Sequence, residues 1–295
     1  MADSDSLCVH AHAKINLYLD VIGKRPDGYH EIETIFHSIG LHDDVVIRKR
    51  DDRNIKVHCN HPQVPNDVRN LAYRAAKLLR DNTPDLSGVE IEIQKRIPVA
   101  AGLGGGSADA AAVLWGMNQL FDLGLTQSDL VGFGVQLGAD VPFCILGGAA
   151  LGCGIGEVLT PLPPLDEAWL VLANPGFEVP TAWAYQRINL SLTKPKKNVK
   201  ILACCLRNGE SPNFVTHLYN RLEVPVFAEY PVVAELKGKL AKCSGSYGAL
   251  MSGSGATVFG LMQNRSQARL TASNLESDFA FCIASPTCRV GLHIS

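Results

Sequence analysis

Four glycines in five positions, Gly102-Leu103-Gly104-Gly105-Gly106, join a strand-like run to a helix-like run and constrain the fold more than any other stretch. Upstream, Val89, Ile91 and Ile93 alternate with Glu90, Glu92 and Gln94, the period of a strand with one buried face. Downstream, Ser107 reads as an N-cap, Asp109 falls in the first turn where the helix dipole favours an anion, and residues 110–120 have high helix propensity. A loop almost without side chains can turn its N–H groups inward around an anion at the start of that helix. That describes a phosphate cradle. A flexible connector is the plainer alternative, and the strand before and the capped helix after weigh against it.

Two better-known glycine patterns fail on the same loop. A Walker A loop ends in Gly-Lys-Ser/Thr, whereas here Gly106 is followed by Ser107 and Ala108, with no lysine to reach the outer phosphates. A dinucleotide fingerprint needs a glycine at Ser107 and a parallel βαβ unit, but the strand at 89–95 alternates as antiparallel strands do.

A chain of 295 residues can bury a sizeable core and reads as two domains. Its formal net charge of -2 gives no reason to expect nucleic acid or a membrane as partner, so any phosphate binding is local. The acidic start lacks the regions of a secretory signal, and residues 141–155 are too interrupted by glycine and proline to span a bilayer. Nine cysteines, an odd number with no Cys-x-x-Cys pair, fit reduced thiols in the cytoplasm. The expected assembly is a monomer or weak homodimer.

Along the chain, Ala13, Ile15, Leu17, Leu19 and Val21 share one face of a strand over 8–22, which puts Lys14 and Asn16 on the other. That second face either lines a polar cleft or is solvated. His10 and His12 fall on it too, and with no ligand cluster evident they are not read as metal ligands. The turn from Gly23 to His30 presents Tyr29 and His30 at its tip, suited to a flat hydrogen-bonding group such as a base, or an ordinary surface pair. Strands are expected at 32–39, 44–47 and 55–59, with the charged run 48–53 as a solvated hairpin end. Residues 70–80 read as a packing helix with Leu71, Ala75, Leu78 and Leu79 inward, and 127–137 as another, ended by Gly138. Asp140 lies at a glycine and proline bend, where a carboxylate is ordinary as a turn cap.

The proline-rich stretch at 160–166 marks a boundary between a domain of residues 1–162 and one of 163–295. Beyond it come a buried strand at 169–173, a short helix with Trp183 and Tyr185, and two or three helices over 197–242. A second glycine-rich loop then lies between strands within 247–262, where Ser252, Ser254 and backbone donors could close over an anion.

Three blocks resemble the GHMP kinase superfamily: Ala13-Lys-Ile-Asn-Leu-Tyr-Leu19, the loop from Pro98 to Ala108, and Ser252-Gly-Ser-Gly-Ala-Thr-Val-Phe259. Their order and spacing span nearly the whole chain. Within that superfamily, the Gly23–His30 loop, the triple glycine Gly104–Gly106 and Leu137-Gly-Ala-Asp-Val-Pro142 are similar to a branch of the non-mevalonate isoprenoid pathway. That branch acts on a small molecule, a cytidine diphosphate derivative of methylerythritol. The resemblance implies a two-domain α+β fold, the first domain ribosomal S5 domain 2-like and the second a ferredoxin-like α/β sandwich, with the active cleft between them. It implies phosphorylation of the substrate's 2-hydroxyl with ATP and Mg²⁺ as cofactors.

By the same resemblance Asp140 is the general base and Lys14 its cationic neighbour. Pro98, Val99, Ala100, Ala101, Gly102, Leu103, Gly104, Gly105, Gly106, Ser107 and Ala108 form the nucleotide loop, with Ser107 in the metal and phosphate region. Asn16, Tyr29, His30, Tyr185, Ser252 and Gly253 meet the substrate. The chemistry is consistent, because a nearby ammonium keeps a carboxylate ionised and phosphoryl transfer needs mainly positioning and charge neutralisation. His37 stands where the resemblance leads one to expect glutamine, and residues 189–215 match no motif of the family. Two rivals are a mevalonate- or sugar-type kinase, against which the Tyr29–His30 loop argues, and a regulator without catalysis, against which Lys14 and Asp140 argue.

Overall fold

The apolar and β-branched residues of the first fifty positions build one long hairpin. In the computed structural model, which describes residues 5–165, 167–188, 197–209 and 213–295, β1 (Ser6–Lys24) pairs antiparallel with β2 (His30–Lys49). The two strands expected at 32–39 and 44–47 are therefore one. Gly40 lies within that continuous strand, where a Cβ would come 2.8 Å from Pro286 Cγ, so the glycine allows close packing there. Three bulges interrupt the ladder, at His12/Lys14, Asn16/Tyr18 and Val21/Gly23. Bulges re-aim side chains, and these flank the stretch that carries Lys14 and Asn16.

After the hairpin come β3 (Ile55–Cys59), α1 (Leu71–Asn82), β4 (Val89–Gln94), α2 (Gly105–Leu120), α3 (Gln127–Leu137), α4 (Val141–Leu146), β5 (Ala149–Cys153) and β6 (Val158–Leu162). Asn70 caps α1 by accepting from Ala72 N, and Thr126 with Asp129 forms a capping box on α3. Sheet order is β1-β2-β4-β3, with β5 on β2 and β6 on β5. β4 runs antiparallel to β2 but parallel to β3, so the charged run 48–53 does not close a hairpin between β2 and β3. α2 is apolar on nearly every face, with Ala108, Ala110, Ala111, Ala112, Val113 and Leu114 fully buried, and it forms the centre of the larger core.

The second half contributes β7 (Trp169–Asn174), α5 (Thr181–Gln186), α6 (Val199–Arg207), β8 (Tyr219–Asn220), α7 (Glu223–Glu229), α8 (Pro231–Lys242), β9 (Ser246–Met251), β10 (Val258–Met262), α9 (Arg265–Leu275), β11 (Phe281–Pro286) and β12 (Leu292–Ile294). Its antiparallel sheet has the order β11-β7-β10-β9, with α8 and α9 packed against it, the arrangement of a ferredoxin-like βαββαβ unit. The expected α+β architecture is what forms. Of the unassigned stretch 189–215, residues 189–196 and 210–212 lie outside the described residues, and α6 occupies most of the rest.

The halves interpenetrate. β8 and β12 both join the first sheet on β1, while Leu19, Val21 and Ile32 of the hairpin pack into the second core with Val171, Ala173 and Val258. Asp20 and Arg221, both almost fully buried, form an ion pair between β1 and the segment after β8. Burying each large apolar side chain contributes about 1.5–3 kcal/mol, so these shared contacts fix the two glycine loops relative to one another.

Candidate active site

The glycine loop leaves β4 at Gln94 and enters α2 at Gly105, two residues before Ser107. Ser107 is therefore not the N-cap. Gly104 holds that position in the left-handed conformation, φ 71°, and has no side chain with which to cap, while the next residue, Gly105, packs so closely that a Cβ would meet Lys95 Nζ at 2.9 Å and Ile97 Cγ2 at 3.0 Å. The first-turn N–H groups of this long helix are thus left for a ligand, and the helix dipole adds to their pull on an anion. Pro98, Val99, Ala100, Ala101, Gly102, Gly104, Gly105, Gly106 and Ser107 line a cleft of about 810 Å³, at the upper end of the usual range for small-molecule sites. Leu103 and Ala108 do not line it. Their side chains are buried in the core, at 1% and 0% exposure, and anchor the loop from behind.

Behind the loop lies a charge cluster that sequence reading missed. Lys95 Nζ sits 2.6 Å from Asp43 Oδ2 and 2.7 Å from Asp109 Oδ2, all three buried. Asp43 Oδ1 also accepts from Arg96 N and Ile97 N, at 2.5 and 2.8 Å, which fixes the exit of β4. Asp109 is thus a buried ion-pair partner beyond the first turn of α2, and with Lys95 it also borders the cleft. Burial pushes the Asp109 carboxyl up to about 7 against the opposing pull of Lys95. The Lys95 ammonium, which burial alone would lower, is raised by its two carboxylates.

An acid whose folded pKa exceeds its unfolded value of about 3.9 binds its proton more tightly in the folded chain. Its contribution to stability is full below about pH 4, declines as pH rises toward about 7 and is level above that. Stability of the wild type minus that of Asp109→Asn is therefore expected to fall between pH 5 and pH 8. Urea unfolding at the two pH values measures it, and a constant difference would contradict the assignment.

Lys14 reaches the cleft from β1. Its Nζ donates to Asn16 Oδ1 at 2.9 Å and lies 3.3 Å from Asp140 Oδ2, and its stem runs beneath Gly104, where a Cβ would come within 3.0 Å of it. Asp140 occupies the N-cap position of α4 but makes no side-chain cap there. Its carboxylate is turned instead toward Lys14, one-third exposed on the cleft wall. Asn16 donates through Nδ2 to Thr34 Oγ1 at 2.8 Å, so its amide holds the lysine in one place and has one hydrogen left for a ligand.

The second glycine loop closes on the first. Ser252 is fully buried, donates to Gly102 O at 2.9 Å and accepts from Asn16 N at 3.3 Å. It therefore clamps the two loops from outside the cleft, and the residue that lines the cleft is Ser254, whose hydroxyl is 3.0 Å from that of Thr181. Gly253 lines it as expected. Asn220 fastens this loop from behind through Met251 O and Gly253 O, at 2.7 and 2.8 Å. Ser254 follows from the glycine-serine pattern, while Thr181 carried no signal.

At another edge of the cleft are Tyr29, 60% exposed, and the rings of His30 and Tyr185, with centroids 5.4 Å apart. Burial lowers the His30 pKa and nearby Lys24 adds to this, so the imidazole is neutral at pH 7. His37 is fully buried, with Nδ1 bound to Ser38 O and Nε2 accepting from Leu165 N, and does not line the cleft.

A βαββαβ half joined to a sheet-and-helix half, with an uncapped glycine loop facing a lysine–aspartate pair, defines a GHMP kinase. The N-terminal domain family of GHMP kinases matches residues 70–148 and their C-terminal family matches residues 196–280. A relative from Acetivibrio thermocellus, named 4-diphosphocytidyl-2-C-methyl-D-erythritol kinase, is 45% identical over 96% of this chain and 99% of its own length. One of the same name from Nostoc punctiforme is 47% identical over 88% of each chain. The crystal structure of a 4-(cytidine 5'-diphospho)-2C-methyl-D-erythritol kinase superposes with a TM-score of 0.80 at 37% identity, covering 95% of this chain and 98% of that one. A homoserine kinase from Cytophaga hutchinsonii shares the fold at 19% identity, also with a TM-score of 0.80. The chain belongs to the 4-diphosphocytidyl-2-C-methyl-D-erythritol kinase family of phosphotransferases.

Proposed function

We propose that this chain transfers the γ-phosphoryl group of ATP to the 2-hydroxyl of 4-diphosphocytidyl-2-C-methyl-D-erythritol, giving the 2-phosphate and ADP on the non-mevalonate route to isoprenoids. The observation that carries the reading is the Lys14–Asp140 pair, 3.3 Å apart on the wall of the cleft that also holds the glycine cradle. Asp140 takes the hydroxyl proton while that oxygen bonds to the γ-phosphorus, and the bridging oxygen leaves with ADP. Lys14, fixed by Asn16, offsets the negative charge that spreads over the transferring group. The glycine loop holds the nucleotide phosphates through backbone N–H groups, in place of a Walker A lysine.

Mg²⁺ takes hard oxygen ligands, and the Ser107 hydroxyl on the cleft wall is of that kind. Bound there with the nucleotide, it would neutralise phosphate charge. Asn16, Tyr29, His30 and Tyr185 hold the cytidine end by stacking and edge hydrogen bonds. We take the protein to be a cytoplasmic monomer or weak homodimer; no described helix is long and apolar enough to cross a membrane.

The test is ADP release from ATP and Mg²⁺ by the purified full chain, with this acceptor and, in parallel, mevalonate, homoserine and galactose. Turnover with the cytidylyl acceptor alone is expected, and turnover with another acceptor alone would overturn the substrate reading. Tyr29→Ala is expected to raise KM for the cytidylyl acceptor by about 5- to 100-fold, the worth of one stacked base, with KM for ATP unchanged. Tyr29 is exposed enough that the fold will not feel the change. A shift in the ATP constant instead would move Tyr29 to the other ligand.

A further inference from the structure

Outside the cleft, four of the chain's nine histidines meet on one face of the first sheet. His10 and His12 come from β1, His42 and Asp44 from β2, and His293 from β12. Cross-strand register pairs His10 with Asp44, His12 with His42, and His10 with His293. Positions so far apart in sequence give no ligand-spacing signal, which is why His10 and His12 look isolated until the strands pair.

Donor atoms of His10, His42 and Asp44 all lie within 4.8 Å of one another. Ligands of a tetrahedral zinc ion stand roughly 3.4 Å apart, so small side-chain rotations bring this set onto one ion. The tautomers are fixed by the backbone. His42 Nδ1 lies 2.8 Å from Gly40 O and His12 Nδ1 2.9 Å from Ile39 O, and a carbonyl only accepts, so both rings carry hydrogen on Nδ1. His42 Nε2 lies 3.5 Å and His10 Nδ1 2.7 Å from the same Asp44 Oδ1, so both rings converge on one carboxylate oxygen.

His12 and His293 flank the set, with His293 Nδ1 3.0 Å from His12 Nε2. Arg96 binds the Asp44 carboxylate at 2.5 Å on Oδ2 and 3.0 Å on Oδ1, the kind of outer contact that orients a ligating carboxylate.

We propose that His10, His42 and Asp44 bind one divalent transition-metal ion of the class that takes imidazole nitrogen and carboxylate oxygen, zinc foremost, and that the ion cross-links β1 to β2. The site is independent of the phosphoryl-transfer cleft, which none of these three residues lines. Its role is to brace the hairpin that carries Lys14.

The experiment is titration of the chelator-treated full chain with Zn²⁺ alone, followed by calorimetry and by thermal unfolding, with Co²⁺ as a spectroscopic probe. Expected are one equivalent bound per chain, a rise in Tm and the visible absorption of tetrahedral Co²⁺. His42→Ala and His10→Ala are each expected to weaken Zn²⁺ binding at least about 10-fold, whereas the exposed His58→Ala leaves it unchanged. Retained kinase turnover shows that each variant is folded. Absence of stoichiometric binding, or binding that survives both substitutions, would overturn the site.

Discussion

Asp140→Asn is expected to lower kcat by about 10²- to 10⁴-fold, the contribution of a positioned general base, while ATP binding is retained. Asparagine keeps the shape of the side chain and still faces Lys14, but it cannot take a proton at neutral pH. The carboxylate is one-third exposed and makes no cap on α4, so the fold does not depend on it. Lys14→Ala is expected to cost about 10²-fold or more in kcat for a different reason, loss of charge stabilisation on the transferring group. It also frees Asn16 Oδ1, so its KM for the acceptor should rise, which Asp140→Asn should not cause. Steady-state kinetics with calorimetry of nucleotide binding separate the two. Full turnover by a folded Asp140→Asn would remove the base from the mechanism.

What the sequence made legible and what it hid follow from range. The strand at 89–94, the helices starting at Leu71 and Gln127, and both glycine loops rest on local periodicity and turn chemistry, and they form where expected. Lys14 and Asp140 were found through motif order, and the 3.3 Å between them needed the fold. Errors arose where a distant partner decided a local question. The strands expected at 32–39 and 44–47 are one because β2 pairs with β1 through residues 42–44; Ser107 is not the cap because α2 begins two residues earlier, at Gly105; Ser252 turns to Gly102 instead of the cleft. The Asp43–Lys95–Asp109 cluster and the four histidines join residues from three separate elements each, which no single window contains.

Gly102→Ala is expected to destabilise the chain by roughly 3 kcal/mol or more and to impair ATP binding in what remains folded. Two effects add. The residue sits at φ 78°, where an L side chain is strained by about 1–2 kcal/mol. Its new Cβ would also lie 2.2 Å from Ser252 O and 3.1 Å from Ser252 C, both backbone atoms that no rotamer change can move. Relief requires the two glycine loops to separate, breaking the Ser252 hydroxyl bond to Gly102 O and the contact of Thr257 N with Ala101 O. Those loops form one wall of the cleft, so the cradle opens as stability falls. Gly124→Ala is the matched control, with φ 67° and nothing within 4 Å of its Cβ, and should show the backbone strain alone. Urea unfolding of the two variants, with KM for ATP measured on each, separates clash from strain. If Gly102→Ala proved as stable as Gly124→Ala, the two loops would not be packed as tightly as their contacts require.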